Sequence, residues 1–159
     1  MKRKIITIDG PAGAGKTTIS RLLARRLGYT YVDTGALYRA VALAAVSSNC
    51  VEDEGLLADL LKEIRIEFRN GQNGPRLFMN GEAVSERIRT PEITMLASRL
   101  SAGPVVRKCL LGIQRDMGKD GGVVLEGRDM GTVVFPHAEV KFYLNAAPDI
   151  STAAPIKKL

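Results

Sequence analysis

The apolar positions near the start of the chain follow two different periods. A continuous apolar run over 4–9 (Lys4-Ile5-Ile6-Thr7-Ile8-Asp9) is typical of a parallel strand that is buried on both faces. Helical spacing then relates Ile19, Leu22, Leu23 and Leu27, which predicts a helix over 16–27 with these residues as its apolar face and with Gly28 at its end. The pattern next predicts a strand from Tyr29 to Asp33, a helix from about Ala36 to Ser48 and a helix over 53–62.

From Ile64 the period changes to two. Alternating apolar residues, with Gly71, Asn73-Gly74 and Asn80-Gly81 as turn signals, predict a small antiparallel insert over 64–85. Pro91 and Pro104 stand near the starts of two predicted helices, 91–100 and 104–118. Two further apolar runs, 123–125 and 140–144, suit a parallel sheet. We therefore expect one α/β domain with a parallel sheet flanked by helices.

Composition and charge narrow the function classes. The chain has 159 residues, of which 45% are hydrophobic and 25% are charged, as in ordinary globular domains. Its net charge of +6 comes from scattered basic residues without interleaved aromatics. Small substrates rich in phosphate explain this positive charge equally well as nucleic acid would, and we expect no nucleic-acid partner. No apolar stretch matches a membrane span or a signal peptide, which predicts a cytoplasmic protein without a membrane partner. Cys50 and Cys109 fit neither a metal spacing nor a disulfide framework and are expected to be buried or half-buried thiols.

A phosphate-binding loop follows the first predicted strand. Residues 10–17 match the pattern G-x-x-x-x-G-K-[ST], in which glycines let successive amides turn towards phosphate oxygens. Lys16 is expected to reach the β- and γ-phosphates, and the Thr17 hydroxyl is expected to bind Mg²⁺. The alternative is a glycine-rich turn without a ligand. The residues predicted to bind a nucleoside triphosphate are Gly10, Pro11, Ala12, Gly13, Ala14, Gly15, Lys16, Thr17 and Thr18.

Two other segments with chemical potential each follow a predicted strand. They are 33–39 (Asp-Thr-Gly-Ala-Leu-Tyr-Arg) and 126–135, which begins Glu-Gly-Arg-Asp. Ligands of parallel α/β sheets bind at this edge, so both segments are expected to face the same crevice as the phosphate loop. Arg39 and Arg128 can contact phosphate oxygens, while Asp33 and Asp129 can accept from sugar hydroxyls or hold water on Mg²⁺. The alternative is that Arg128 and Asp129 only pair with each other on the surface.

These motifs resemble the bacterial cytidylate kinase family. The resemblance runs in order from residue 4 to about 148 and includes the phosphate loop, 33–39, Asn80-Gly81-Glu82, 88–92, Ala97-Ser98, Val106-Arg107 and 126–136. It implies the P-loop nucleoside monophosphate kinase fold and transfer of the γ-phosphoryl group of ATP to CMP or dCMP, with Mg²⁺. It also implies that Arg39, Arg107 and Arg128 grip the monophosphate, that Ser98 contacts cytosine and that Asp129 lies beside the sugar and phosphate. Together with residues of the segment at 33–39, these form the expected substrate-binding set. Its members are Asp33, Thr34, Gly35, Tyr38, Arg39, Ser98, Arg107, Arg128 and Asp129.

Phosphoryl transfer requires positioning and neutralisation of charge more than covalent chemistry. We therefore expect no general base, and we assign Lys16, Arg128 and Asp129 as the catalytic residues, with Lys16 and Arg128 acting electrostatically. Thr17 is the expected metal ligand. The predicted organisation is a kinase core over 1–148, in which 64–95 forms the monophosphate-binding insert, and an atypical tail over 149–159.

The sequence departs from the family after its fourth strand. Members continue with an arginine-rich lid, a fifth strand and a final helix, whereas no arginine follows Arg128 here. We expect a fold without the lid and last strand, with the tail as the product of a shifted frame or an early stop. Lid arginines are worth a factor of about 10³ to 10⁵ in rate, so one alternative is a catalytically impaired, nucleotide-binding remnant. Another is a kinase of the same fold with a different small acceptor. We expect a monomer that is prone to aggregate, because residues 140–144 would form an unpaired apolar edge.

Overall fold

The computed structural model describes residues 3–71 and 74–145. Its main sheet contains four parallel strands in the order β2-β6-β1-β7. The strands are β1 Ile5–Asp9, β2 Thr30–Asp33, β6 Val123–Gly127 and β7 Val140–Tyr143. In register, Asp9 of β1 lies beside Gly127 of β6 and Tyr143 of β7, so the carboxyl ends of the strands meet at one edge. This parallel α/β arrangement confirms the predicted fold class.

A second, antiparallel sheet has the order β3-β4-β5. Its strands are Ile66–Gly71, Gly74–Met79 and Glu82–Ala83. The turn before β5 contains Asn80 in the left-handed region (φ 49°), and the Asn80 carboxamide oxygen accepts a hydrogen bond from the Arg65 amide at 2.9 Å. The change of period at Ile64 therefore predicted this small sheet correctly.

Five α-helices occur in the described part of the chain. They are α1 Lys16–Leu27, α2 Thr34–Ser47, α3 Glu54–Glu63, α4 Pro91–Leu100 and α5 Pro104–Gly118. A 3₁₀ turn, Arg87–Arg89, precedes α4, and a single π-helical turn, Met130–Val134, follows β6. Helix α2 begins two residues before its predicted start, because the Asp33 side chain accepts a hydrogen bond from the Ala36 amide and caps it. The largest core cluster packs α2 against α3, α4 and α5, and the buried Cys50 and half-buried Cys109 are free thiols, as predicted.

The predicted apolar face of α1 is wrong at Ile19, Leu22 and Leu27, whereas Leu23 packs against the core. The buried residues of this helix are Ser20 and Ala24, whereas Ile19, Leu22 and Leu27 are 45–49% exposed. Small side chains let the helix backbone approach β2 and β6 closely, so the two buried residues of this helix have little apolar surface. Helical spacing identified the helix but not its buried face.

Strand β7 lies at one edge of the main sheet and pairs only with β1 among the described strands. Phe142 and Tyr143 on this strand are 48% and 71% exposed. The expected exposed apolar edge is therefore present, while the tail at 149–159 lies outside the described residues. In the part of the chain that the structure describes, no helix has the length and apolar character needed to cross a membrane.

Candidate active site

The loop between β1 and α1 has the backbone of an anion cradle. Gly13 and Gly15 lie in the left-handed region with φ of 78° and 82°, and a Cβ atom at either position would meet no atom within 4 Å. Glycine is therefore favoured here by the backbone angle and not by lack of space. Gly15 caps α1 without a side-chain hydrogen bond, so the amides of the first helical turn remain directed towards an incoming anion.

Gly10 at the start of this loop and Lys16 at its end each make a close contact that constrains the loop. A Cβ atom on Gly10, whose φ is 148°, would lie 2.1 Å from the Leu144 carbonyl oxygen, so only glycine fits between β1 and the end of β7. The Lys16 ammonium donates a hydrogen bond to the Pro11 carbonyl at 2.6 Å. Its side chain thus folds back across the loop and holds a positive charge above the cradle.

Thr17 contacts a buried carboxylate. Its hydroxyl donates to Glu126 Oε1 at 2.8 Å, and Glu126, on β6, is only 6% exposed. Burial raises the pKa of Glu126, the Thr17 hydrogen bond lowers it, and the nearby Asp33 raises it. The second oxygen, Oε2, is also buried, and the Tyr31 hydroxyl, itself buried, interacts with this carboxylate and lowers its pKa. A hydroxyl and a carboxylate oxygen are hard ligands of the kind that Mg²⁺ prefers.

The first turn of α2 forms the next wall of the site. Asp33 both caps this helix and makes an ion pair with Arg39, with 3.1 Å between Oδ2 and Nη2. The Thr34 hydroxyl donates to the Glu126 carbonyl at 2.6 Å, which ties the end of β2 to the end of β6. Gly35 is compact enough to lie against both members of the Asp33–Arg39 pair, since an added Cβ atom would come within 3.2 Å of each. Arg39 is thereby held at the mouth of the site.

The loop after β6 carries the remaining charged groups. Asp129 pairs with Arg107 on α5 at 2.6 Å, and this hydrogen bond raises the pKa of Arg107. Burial raises the pKa of the neighbouring Tyr38 hydroxyl, while Arg107 opposes this shift and Asp129 adds to it. The alternative in which Arg128 and Asp129 pair with each other is wrong, because the partner of Asp129 is Arg107. Arg128 is exposed and makes no ion pair within residues 3–71 and 74–145.

Most of these groups open on one cleft of about 830 Å³. The predicted residues that line it are Ala12, Gly13, Ala14, Gly15, Lys16, Thr17, Asp33, Thr34, Gly35, Tyr38, Arg39, Ser98, Arg107, Arg128 and Asp129. Gly10, Pro11 and Thr18 are not in its lining. Sequence reasoning did not assign a role to the other lining residues, Thr94, Ala97, Ser101, Glu126, Gly127 and Met130. Glu126 had a detectable signal, since it is the one acidic residue of an otherwise apolar strand.

A second cleft, of about 1120 Å³, lies at the other end of β2 and β6, beside Thr30 and Val123. None of the predicted site residues lines it. The predicted chemistry therefore converges on the cleft at the carboxyl ends of the strands, where parallel sheets bind ligands.

Comparison with known proteins identifies the family. A sequence model described as cytidylate kinase matches residues 6–156. A cytidylate kinase from Syntrophotalea carbinolica is 56% identical over 146 residues, which are 91% of this chain and 62% of that protein. Cytidylate kinases from Geobacter sulfurreducens and Ligilactobacillus salivarius are 53% and 47% identical, over 90% and 92% of this chain and 62% and 66% of their own lengths. The chain thus spans a little under two thirds of the length of these relatives. With a phosphate loop, an arginine-lined cleft and this similarity along nine tenths of its length, the chain belongs to the cytidylate kinase family.

Proposed function

We propose that this protein transfers the γ-phosphoryl group of ATP to CMP or dCMP, giving ADP and CDP or dCDP. The observation that carries the proposal is the shared cleft, in which a phosphate loop faces a wall bearing Arg39, Arg107 and Arg128. Two anions bound on opposite sides of one cleft can be held in line for transfer between them. The names of the relatives favour a cytidine acceptor over other monophosphates.

The donor side is built from the phosphate loop and the start of α1. Residues 10–18 form this loop, the amides of 12–17 face the donor phosphates, and the Lys16 ammonium neutralises charge on the β- and γ-phosphates. Thr17, together with the carboxylate of Glu126, would hold Mg²⁺. The bound ion supplies further neutralisation of the donor phosphates. The contact between the Thr17 hydroxyl and the buried carboxylate of Glu126 supports this assignment.

The acceptor side is built from α2, α4, α5 and the loop after β6. Arg39 and Arg107 position the monophosphate, and the free guanidinium of Arg128 neutralises the moving phosphoryl group. Asp33, Thr34, Gly35, Tyr38 and Asp129 complete this wall, and Ser98 on α4, which lines the same cleft, contacts the cytosine ring. Asp33 and Asp129 act partly by orienting Arg39 and Arg107, as the two ion pairs indicate.

The reaction requires no general base from the protein. A monophosphate oxygen is already an anionic nucleophile, so it attacks the γ-phosphorus directly while the bond to the bridging oxygen of ADP breaks. The protein contributes alignment and a positively charged environment. We further propose that it acts as a cytoplasmic monomer. No feature of the described residues favours the catalytically impaired alternative.

The decisive experiment measures ADP release with ATP, Mg²⁺ and a panel of acceptors. CMP, dCMP, UMP, AMP and GMP are compared with a reaction that lacks any acceptor, and the phosphorylated product is identified by mass. We expect acceptor-dependent release with CMP and dCMP as the best substrates. A higher kcat/KM for AMP or GMP would indicate a different kinase of this fold, and ADP release that does not require an acceptor would indicate simple hydrolysis.

A further inference from the structure

The carboxylate of Asp9 lies at the junction of the two sides of the cleft. Asp9 is the last residue of β1 and directly precedes Gly10 of the phosphate loop. Its Oδ1 accepts a hydrogen bond from the Met130 amide at 2.9 Å, and its Oδ2 accepts one from the Gly131 amide at 2.8 Å. Those two amides immediately follow Asp129. One side chain therefore links the donor loop to the loop that carries Arg128 and Asp129.

The environment of Asp9 indicates that these two hydrogen bonds determine its position. Asp9 is 6% exposed, and within residues 3–71 and 74–145 it makes no ion pair. A buried carboxylate requires compensation, which here comes from two charge-assisted bonds to backbone amides. Both oxygens are used, so rotation of the carboxylate or movement of the loop would break at least one of the bonds.

The segment that Asp9 holds is packed tightly on β1. A Cβ atom on Gly131 would come within 2.8 Å of Thr7 Oγ1 and 3.3 Å of Asp9 Oδ2. Gly131 has no positive φ, so its requirement for glycine comes from close approach and not from a special backbone angle. The loop can reach the Asp9 carboxylate only because nothing projects from this position.

The π-helical turn that follows is braced at its other end by Arg115 on α5. Arg115 donates to the Val134 carbonyl at 3.2 Å and to the Val133 carbonyl at 3.2 Å. Asp9 thus secures the amide end of the turn, next to Asp129, whereas Arg115 secures the carbonyl end, away from the cleft. The two residues stabilise the same turn at different distances from the acceptor site.

We propose that Asp9 is a positioning residue for phosphoryl transfer, which sets the acceptor loop in register with the phosphate loop through the amides of Met130 and Gly131. The contacts continue from these amides to Asp129 and then to Arg107, so the guanidinium on α5 takes its place relative to β1. This inference rests on the proposed function for its kinetic consequence. The two hydrogen bonds by which Asp9 holds the loop after β6 are a structural property that can be measured without turnover.

The kinetic test compares Asp9→Asn with Arg115→Met. Asn keeps the size of the side chain but turns an amide NH₂ towards one of the two backbone donors. We expect Asp9→Asn to raise the KM for CMP and to lower kcat by a factor on the order of 10², with the Kd for ATP within about twofold of wild type. Arg115→Met should lower the thermal midpoint with little change in the KM for CMP. Equal effects of the two variants on KM, or a loss of stability in Asp9→Asn without a change in KM, would overturn the proposal.

Hydrogen exchange separates this inference from the proposed function. In Asp9→Asn the amides of Met130 and Gly131 should exchange faster, while amides of β1 remain protected. Should the wild-type protein phosphorylate no monophosphate, the proposed function fails, and unchanged exchange at these two amides would separately refute the hold by Asp9. Gly131→Ala gives a second route that leaves the carboxylate intact, because the added methyl group displaces the loop. It should reproduce the faster exchange and the raised KM, and wild-type values for both would contradict the proposal.

Discussion

Replacing Lys16 with methionine should separate catalysis from stability. The Lys16 ammonium makes one hydrogen bond, to the Pro11 carbonyl at 2.6 Å, and no ion pair among the described residues. Loss of a hydrogen bond from a charged group costs the fold about 1.5–3 kcal/mol, and methionine preserves most of the aliphatic stem. Transfer should suffer more, because removing one preorganised charge-stabilising donor typically lowers kcat by about 10²- to 10³-fold, or about 2.7–4 kcal/mol.

The matched control is the same substitution at Lys62. That side chain lies on α3, is 73% exposed and pairs with Asp59 at 2.7 Å. An exposed pair of this kind is worth about 0–1 kcal/mol, so Lys62→Met should keep wild-type kcat and nearly wild-type stability. Urea denaturation measures the free energy of unfolding, and the ADP-release assay with CMP measures kcat for both variants.

Two results would refute this reasoning about Lys16. Lys16→Met with a kcat within about threefold of wild type would mean that the ammonium does not neutralise the transferring group. A Lys16→Met variant that is unfolded in the absence of denaturant would mean that the Pro11 contact contributes far more to the fold than its geometry indicates. Loss of turnover in both lysine variants would point to a general effect of lost positive charge.

Three other perturbations follow from the structure. Burial raises the pKa of Glu126 above its ordinary value of 4.5, so its contribution to stability is present below the pKa of the unfolded chain and is lost as the pH rises through the folded value. In metal-free buffer, the free energy of unfolding should therefore fall less for Glu126→Gln than for wild type as the pH rises above 4.5, and superimposable urea titrations would contradict this. Gly10→Ala should lower the thermal midpoint and weaken ATP binding, because its methyl group would lie 2.1 Å from the Leu144 carbonyl; a calorimetric scan and an ATP titration that match wild type would argue against the close contact. Phe142→Lys on the β7 edge should reduce self-association in sedimentation runs at increasing concentration, and equal association of both proteins would show that this edge is not responsible.

The sequence predicted the elements of this fold well where the pattern is local. The apolar run at 4–9 became β1, Gly28 ended α1, and the change of period at Ile64 marked the second sheet. It failed for the orientation of α1, because the pattern of Ile19 and its apolar neighbours carries no information on how closely a helix approaches a sheet. Only the tertiary structure shows that Ser20 and Ala24 make that approach possible.

In the candidate site, too, local motifs could be predicted from the sequence and contacts between distant residues could not. Its motifs could be located because phosphate loops have fixed spacing and because segments that follow parallel strands share one edge. The partners could not be predicted, since Arg107 meets Asp129 across 22 positions and Asp9 meets Gly131 across 122 positions of the chain. The π-helical turn also has no sequence signature, as its hydrogen bonds depend on the groups that hold it from outside.

The order of the strands affects how the protein folds while it is being synthesised on the ribosome. Strand β1 emerges before both of its neighbours in the sheet, β6 and β7, which lie more than a hundred residues later in the chain. Contacts of such long sequence separation form slowly, and a chain emerges from its N-terminus. The apolar strand that leads to the phosphate loop must therefore remain unpaired until more than a hundred further residues have been synthesised. The donor loop is the first part of the cleft to be synthesised and among the last to acquire the sheet that supports it.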